Sequence, residues 1–431
     1  MAVFIKKLLS HPLIDTLIHA KGNERACLWM EPLWGIPYNL YLPFVSVYMV
    51  ALGMEPLMIG LNATISLISQ MIWALLSGPL TDKLGRRRCT FIFDILSWSV
   101  PALLWMSAQN EYWFYLASAF NGMYRITENS WTLLFVEDSP DDKLVNLYSL
   151  TSIAGLLAGF IVPLSFLFVE KYSVVPTMRF LYGLTFVMMT AKFILLYHKT
   201  QETTIGQRRM EEYRLHSMKD HLLGSLQVLL TMLKNRRIML TVALLACYGA
   251  TRSVYDNFWP IFVTDKMGIE EKYLSLFSTI RSIVLMASYF VIVPRLNVRR
   301  FMKPVTSAFA ALAFILIPLL LLKSGNAVLL SLGVFIEALS YSVLMPLVSS
   351  LQMLNVSREE RARMNGLLIS MCLLITSPVG LAAGALSEID RALPFVLIIA
   401  FCGLSMYLAL KIWHDNAAVK QMQSSDHTAV M

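Results

Sequence analysis

The sequence predicts an all-α integral membrane protein built from about twelve transmembrane helices. Of its 431 residues, 57% are hydrophobic and only 15% are charged, whereas a soluble domain carries about 25% charged residues. The apolar residues come in runs of about 20, the length that crosses about 30 Å of hydrocarbon as a helix. Because every backbone amide must be paired inside lipid, these runs are predicted to be helices.

We number the predicted helices as spans 1 to 12. In chain order they are 27–52, 56–78, 89–108, 112–135, 145–169, 176–198, 237–264, 272–293, 304–323, 327–353, 364–385 and 393–413. The longest polar stretch separates six spans from six. The predicted organisation is an amphipathic N-terminal segment 1–24, a six-helix bundle 25–198, a cytoplasmic linker 199–236, a second six-helix bundle 237–413 and a cytoplasmic tail 414–431.

The basic residues predict the orientation of these spans. With the N-terminus in the cytoplasm, most of the 36 Lys and Arg residues lie in cytoplasmic segments. By the positive-inside rule this places both termini in the cytoplasm, most simply in the plasma (cell inner) membrane. The bases are spread over several short loops, which argues against a nucleic-acid surface. The five cysteines lie in or beside spans without metal-binding spacing, so we expect buried thiols and no metal or cofactor.

The two halves of the chain resemble each other. The segment 38–43 in span 1 reads YNLYLP, and the segment 255–260 in span 7 reads YDNFWP. A charged segment after span 2, 78–87, has a weaker counterpart after span 8 that contains Arg299 and Arg300. Internal repeats of this kind are typical of secondary transporters, whose substrate sites lie between the repeats.

The charged segment after span 2 carries a family resemblance. It reads GPLTDKLGRR and is predicted to be a compact turn between two spans. With the twelve spans and the division into six and six, it resembles the signature turn of the major facilitator superfamily, with Lys83 in place of that motif's first Arg. The resemblance implies two pseudo-symmetric six-helix bundles and a cytoplasmic gate. The gate residues would be Gly78, Asp82, Gly85, Arg86, Arg87 and Asp94.

Within this gate the expected contact is between Arg86 and an acid such as Asp94. Asp82 is expected to pair with a base or to lie at a helix N-terminus, where a negative charge is favoured. The alternative is that Asp82 and Arg86 only anchor the topology.

Seven charged residues are singled out deep within the predicted spans, where charge is costly, and are therefore functional candidates. They are Glu31, Arg125, Glu128, Arg252, Asp256, Arg281 and Glu337. All but one fall on spans 1, 4, 7 and 10, which line the central cavity in the family that the chain resembles. Polar and aromatic side chains share the helix faces of these charged residues, at spacings of three or four. These further cavity candidates are Trp34, Tyr38, Asn121, Tyr248, Trp259 and Tyr341.

Each charge has an open alternative. Two intrahelical pairs, one on span 4 and one on span 7, could neutralise themselves and have no other role. Glu31 could be solvated at the interface. Arg281 is expected to contact an anionic substrate group or a cavity acid. Glu337 has no base at helical spacing on its own span, which suits either proton exchange or a pair with a base across the cavity.

These features predict a secondary active transporter that works by alternating access and is not an enzyme. No Walker-type phosphate loop is present in the sequence, so a proton or other ion gradient is the expected energy source. The sequence also has no metal-binding cluster within the spans, which argues against a membrane enzyme. Three intramembrane arginines favour an anionic or zwitterionic amphipathic substrate, handled by a monomer in the bilayer. The four acids leave open the proton-coupled export of cationic or lipophilic drugs, and a non-transporting receptor or scaffold is the alternative from another class.

Overall fold

A computed structural model describes residues 12–140, 143–215, 230–296, 301–321, 325–354 and 361–429, which are almost entirely helical. None of these described residues lies in a β-strand, so the predicted all-α class is confirmed. Part of the predicted N-terminal segment (1–11), part of the linker (216–229), Arg299 and Arg300 lie outside the described residues, as do the last two residues of the tail.

The helices follow the predicted spans. In the first half they are Pro12–His19, Gly22–Met30, Pro32–Tyr41, Val45–Ala51, Pro56–Leu84, Arg86–Asp94, Val100–Met106, Glu111–Asn121, Tyr124–Val136, Leu144–Ala158, Pro163–Tyr172, Val174–Lys199 and Thr204–Leu215. In the second half they are Arg236–Ile261, Leu274–Val291, Met302–Leu321, Ala327–Leu354, Arg361–Ile389 and Leu393–Ala429. Short 3₁₀ and π segments, such as Ile95–Ser99 in span 3, connect consecutive pieces of one span.

Ten helices in the described part of the chain are long and apolar enough to cross a membrane. Spans 1 and 4 are the two predicted spans outside this set. Span 1 is divided by Pro32 and by the 3₁₀ segment Leu42–Phe44, since proline has no N–H to donate. Span 4 is divided after Asn121 and carries charged side chains. Both departures from a continuous apolar helix therefore occur in spans that carry candidate residues.

The described residues form two compact units. Unit 1 contains those of Met1–Glu55, Ile65–Leu222 and Glu270–Ser282. Unit 2 contains those of Pro56–Thr64, Leu223–Ile269 and Ile283–Met431. The beginning of span 2 thus belongs to unit 2, and the beginning of span 8 belongs to unit 1.

Aromatic side chains build much of the core of unit 1. The ring centroids of Tyr41 and Tyr182 lie 4.9 Å apart, and those of Trp105 and Tyr182 lie 5.4 Å apart. The buried Tyr48 hydroxyl donates to the backbone carbonyl of Trp105 at 2.9 Å. These contacts join spans 1, 3 and 6 and hold the helices that carry the charged side chains described below.

In unit 2 the start of span 2 packs closely on span 11. A Cβ atom built on Gly60 would lie 2.3 Å from the carbonyl oxygen of Gly380 and 2.9 Å from the Cα of Gly384. The Thr64 hydroxyl donates to the carbonyl of Ser377 at 2.7 Å and accepts from the N–H of Leu381 at 3.1 Å. Pro378 lies inside the continuous helix Arg361–Ile389 of span 11, and Thr64 supplies partners to backbone groups on both sides of that proline.

Candidate functional site

The charged residues of spans 7 and 10 form one cluster in unit 2. Arg252 Nε lies 2.7 Å from Asp256 Oδ2, one helical turn away, and Arg252 Nη1 lies 3.4 Å from Glu337 Oε1. The guanidinium carbon also lies 5.0 Å from the ring centroid of Tyr341, which in turn packs against Tyr248. One permanent cation is therefore shared by two carboxylates.

The two carboxylates of this cluster differ in burial. The Asp256 side chain is 42% exposed, whereas that of Glu337 is 1% exposed. Between the two possibilities left open by the sequence, the geometry pairs Glu337 with a base on another span. Separating a buried carboxylate from a cation that it contacts, as in the pair of Glu337 with Arg252, costs several kcal/mol.

Trp259 is the predicted member of this helix face that lies elsewhere. Its ring stacks on Tyr255 at 5.1 Å and packs against Phe395 at 6.1 Å. It is nearly fully buried in this aromatic group. Trp259 thus supports the packing of span 7 rather than contacting Arg252.

In unit 1 the predicted pair on span 4 is present and has a third member. Arg125 Nη1 donates to Glu128 Oε2 at 2.8 Å, and Arg125 Nη2 donates to Gln70 Oε1 at 2.9 Å. The Tyr124 hydroxyl donates to the same amide oxygen at 2.9 Å. Gln70 of span 2 was not identified from the sequence, because a single Gln in an apolar helix gives no distinguishing pattern. The Glu128 side chain is 57% exposed.

Asn121 has a packing role in the structure. Its amide nitrogen donates to the backbone carbonyl of Ser97 at 2.8 Å. Ser97 lies in the π-helical segment of span 3, where the backbone departs from regular α-helical pairing. Asn121 therefore ties span 4 to span 3.

The aromatic residues of span 1 form a wall with a partner from span 3. Trp34 stacks on Tyr38 with ring centroids 4.8 Å apart, and Trp98 meets Trp34 edge-on at 5.1 Å. Trp98 also meets Tyr38 edge-on at 5.8 Å. All three rings are partly buried, so they retain surface for a planar or cationic group.

Glu31 is paired with a base that was not singled out from the sequence. Lys192 Nζ of span 6 donates to Glu31 Oε2 at 2.8 Å, and both side chains are largely buried. Lys192 also lies 5.8 Å from the ring centroid of Trp34 and 5.7 Å from that of Trp131. Lys192 is within about two turns of the basic end of its span, where the positive-inside pattern conceals an individual buried lysine.

The predicted charged turn is mostly helix. Helix Pro56–Leu84 continues through Gly78 and Asp82, and the chain turns at Gly85 alone, with φ of 81°. This positive φ favours glycine, and a Cβ on Gly85 would in addition lie 2.6 Å from a carboxylate oxygen of Glu202, whose side chain would have to shift. The prediction of a turn across 78–87 was wrong in extent, because the apolar helix accommodates Pro79 and the following polar residues.

The expected pair of Arg86 with Asp94 was also wrong. Arg86 donates to Asp82 at 2.9 Å and to both oxygens of Glu137 at 3.0 and 3.1 Å. Asp94 is eight residues further along the same helix, which is about 12 Å at 1.5 Å per residue. Glu137 at the end of span 4 comes within reach instead, and Asp94 lies in the buried interior near Lys192.

The carboxylate of Glu202, in the segment after span 6, completes a group that we call the rim cluster. Its members are Asp82, Arg86, Arg87, Glu137 and Glu202. The two oxygens of Glu202 accept the backbone N–H groups of Arg86 and Arg87 at 2.9 and 3.0 Å. They thereby satisfy free donors at a helix N-terminus, where negative charge is favoured. The Thr203 hydroxyl donates to Glu137, and Arg87 lies over the Tyr197 ring at 4.2 Å.

Arg281 lies on helix Leu274–Val291, near the end of the part that belongs to unit 1. Its side chain is half-buried. In the described part of the chain, no group of three or more His, Cys, Asp or Glu side chains could hold a metal ion.

Comparisons with known proteins give the family. No curated protein sequence matches the chain significantly. Among solved structures, the nucleoside transporter NupG is 16% identical with a TM-score of 0.67, over 91% of this chain and 98% of that one. A peptide transporter POT in complex with sulfate is 14% identical with a TM-score of 0.67, over 92% and 94%. The human organic anion transporter MFSD10 (TETRAN) is 14% identical with a TM-score of 0.61, over 89% and 98%.

These structures share the fold of the chain at low identity. The sequence model described as Major Facilitator Superfamily matches residues 34–381, which is most of the chain. The protein therefore belongs to the Major Facilitator Superfamily of transporters.

Proposed function

We propose that this transporter moves a small amphipathic organic anion or zwitterion by alternating access, with proton coupling. Membership of the family supports secondary transport of a small molecule. The observation that carries the proton-coupled part of the proposal is the cluster in which Arg252 is shared by Asp256 and Glu337.

The coupling follows from the charges of that cluster. A guanidinium binds carboxylate and phosphate groups with paired hydrogen bonds, so an anionic substrate competes with Glu337 for Arg252. A buried carboxylate that loses its cation is neutralised by a proton rather than remaining charged. Anion binding at Arg252 and proton binding at Glu337 would therefore favour each other.

The remaining candidates would shape the same path. We propose that spans 1, 4, 7 and 10 line it, as is usual in the family, with Arg125 and Glu128 as a second charged pair. Arg281 would contact an anionic group of the substrate or a cavity acid. Trp34 and Tyr38 would hold the apolar part of the substrate.

The aromatic wall of span 1 favours a second candidate function. Trp34, Tyr38 and Trp98 present ring faces and edges within 5.8 Å of one another, and such faces attract cations. With the acids of the spans, this arrangement suits the proton-coupled export of a cationic or lipophilic drug.

The residues of the rim cluster are proposed to form the cytoplasmic gate. Arg86 is almost completely buried between Asp82 and Glu137, so that breaking this contact requires solvating three charges. We further propose a monomer in the plasma membrane with both termini in the cytoplasm, since that orientation agrees with the positive-inside rule. The two bundles would be 25–198 and 237–413, joined by the linker.

The experiment begins with purified full-length protein, screened for thermal stabilisation by metabolites and drugs. Each hit is then tested for uptake into proteoliposomes with and without a pH gradient. We expect Glu337→Gln to exchange substrate without responding to the gradient, and Arg252→Gln to lose binding of an anionic substrate. Arg281→Ala is expected to weaken the binding of that substrate.

A matched control is Arg391→Gln, since Arg391 pairs with Asp265 outside the spans. It should transport like the wild type. Wild-type behaviour of Glu337→Gln and Arg252→Gln would refute the assignment of this cluster. Hits confined to cations would favour the drug exporter, and binding without translocation would favour a receptor or scaffold.

A further inference from the structure

A second group of ionisable side chains lies inside unit 1, away from the Arg252 cluster of unit 2. Asp94 of span 3, Lys192 of span 6 and Glu31 of span 1 come together there. Asp94 is 6% exposed, and the Lys192 side chain is 5% exposed. The sequence analysis had placed Asp94 at the gate, so its actual surroundings need a separate explanation.

The positions of the three groups are unequal. Lys192 forms its salt bridge with Glu31 at 2.8 Å, whereas Asp94 lies beside Thr127, whose hydroxyl donates to the Tyr124 carbonyl at 3.0 Å. The Lys192 ammonium is held beside Glu31 by the rings of Trp34 and Trp131, both within 5.8 Å. A lysine between two aromatic faces is stabilised as a cation, so the charge of Lys192 is assigned to Glu31.

The charge balance then leaves one carboxyl group over. One ammonium neutralises one carboxylate, and a second buried carboxylate would carry a desolvation cost of several kcal/mol. Buried groups in this situation bind a proton rather than remain charged. Among the residues that the structure describes, no Lys or Arg forms a salt bridge with Asp94, and the other groups near it do not replace one. They are the thiols of Cys27 and Cys89, and Arg87, which lies along the same crevice but donates to the Tyr197 carbonyl.

We propose that Asp94 is a second proton-binding site of this transporter, occupied while Lys192 is paired with Glu31. When Lys192 moves from Glu31 to Asp94, the proton on Asp94 is released and Glu31 takes one up. Substrate at the aromatic wall would influence this exchange directly, because Trp34 belongs both to the wall and to the surroundings of Lys192. The role of Asp94 in transport rests on the proposed proton coupling, whereas the inference that Asp94 carries a proton does not depend on it.

Infrared difference spectroscopy on the full-length reconstituted protein tests the proton on Asp94 without any substrate. The carbonyl stretch of a protonated carboxyl group is followed from acid to alkaline pH. We expect Asp94→Asn, which is nearly isosteric, to lose one such band. Glu31→Gln should also lose it, because Lys192 is then free to pair with an ionised Asp94. Glu128→Gln is the control and should keep the band.

Two results would overturn the proposal. One is the same number of protonated-carboxyl bands in Asp94→Asn as in the wild type. The other is an unchanged band in Lys192→Met, in which two carboxyl groups without a cation should give a second protonated band. Thr127→Val, which removes the hydroxyl beside Asp94, should shift the frequency of the band without abolishing it.

Uptake measurements then test the role in transport. Asp94→Asn is expected to retain transport down a substrate gradient and to lose stimulation by a pH gradient. If the wild type transports nothing, the proposed function fails while the infrared result still stands. If transport depends on Glu337 but the Asp94 band is absent, only the second proton site is refuted.

Discussion

Replacing Gly60 with alanine should disrupt the contact between the start of span 2 and span 11. The added Cβ would lie 2.3 Å from the Gly380 carbonyl oxygen and 2.9 Å from the Gly384 Cα, whereas non-bonded heavy atoms prefer about 3.5–4.0 Å. Both obstructing groups are backbone, so no side-chain rotation relieves the overlap. The two helices must separate by about 1 Å or more to reach ordinary contact distances.

The expected loss combines two effects. Overpacking of a close contact typically costs about 1–3 kcal/mol. Separation of the helices also weakens the hydrogen bonds of Thr64 to the Ser377 carbonyl and the Leu381 amide, each of which contributes about 0.5–1.5 kcal/mol. We therefore expect Gly60→Ala to destabilise the protein by about 2–4 kcal/mol.

The assay is thermal unfolding of the purified protein, with Gly78→Ala as the matched control on the same helix. A Cβ on Gly78 meets no atom within 4 Å, and alanine is favoured over glycine in a helix by about 0.5–1 kcal/mol. Gly78→Ala should therefore unfold at or slightly above the wild-type temperature. A Gly60/Gly384 double substitution should cost less than the sum of the single changes, because either one already separates the helices. Equal unfolding temperatures for Gly60→Ala and Gly78→Ala would refute the reasoning.

Three further predictions concern charged groups. Lys192→Met should destabilise the protein by up to about 3–5 kcal/mol, because Glu31 loses its cation and must bind a proton to stay buried. Adding Glu31→Gln should restore part of the unfolding temperature, and failure to do so would contradict this reasoning. Glu202→Ala should cost about 1 kcal/mol through the lost helix cap, with faster amide hydrogen exchange at the start of span 3 as the diagnostic result. Hydrogen bonds from Lys266 and a backbone N–H lower the pKa of Asp390 in the folded protein. The ionised Asp390 therefore stabilises the fold above its unfolded pKa of about 3.9, and this stabilisation is lost as the pH falls through the lower folded pKa. At neutral pH, Asp390→Asn should therefore be less stable than the wild type by at most about 1 kcal/mol, the range for an exposed pair. At strongly acid pH the variant and the wild type should be equally stable, and a stability difference that stays constant with pH would contradict this account.

The fold was predictable because the bilayer imposes a simple rule on the sequence. Runs of about 20 apolar residues must form helices, and the structure has helices at each of the predicted spans. The breaks within spans 1 and 4 were not predicted, since proline at Pro32 and glycine at Gly122 are both tolerated inside membrane helices. Whether spans 1 and 4 cross the bilayer stays a prediction, because their composition alone does not mark them as spanning.

The candidate site was predictable only along each helix. The spacing of Arg252 and Asp256 reveals a pair four residues apart, and this pair is present. Contacts between helices depend on how each helix is rotated about its axis and how deep it lies in the membrane. The spacing of residues along one helix does not reveal either property. For that reason three contacts were found only in the structure. Glu137 accepts from Arg86, Glu202 accepts from the backbone at the start of span 3, and Lys192 donates to Glu31.

In the Arg252 and Lys192 clusters one base lies near two acids, and burial determines what that ratio can do. At the exposed Glu170–Lys272–Glu270 group, one lysine also meets two carboxylates, at 3.1 and 3.0 Å. There, water screens the excess negative charge, and the pairs contribute little. In the Arg252 and Lys192 clusters one carboxyl group of each pair is nearly inaccessible to water, so water screens its charge far less, and a proton or a change of partner can remove that charge. A cation that can pair with either of two acids offers two arrangements, and a transporter needs such alternatives if proton binding is to change its conformation.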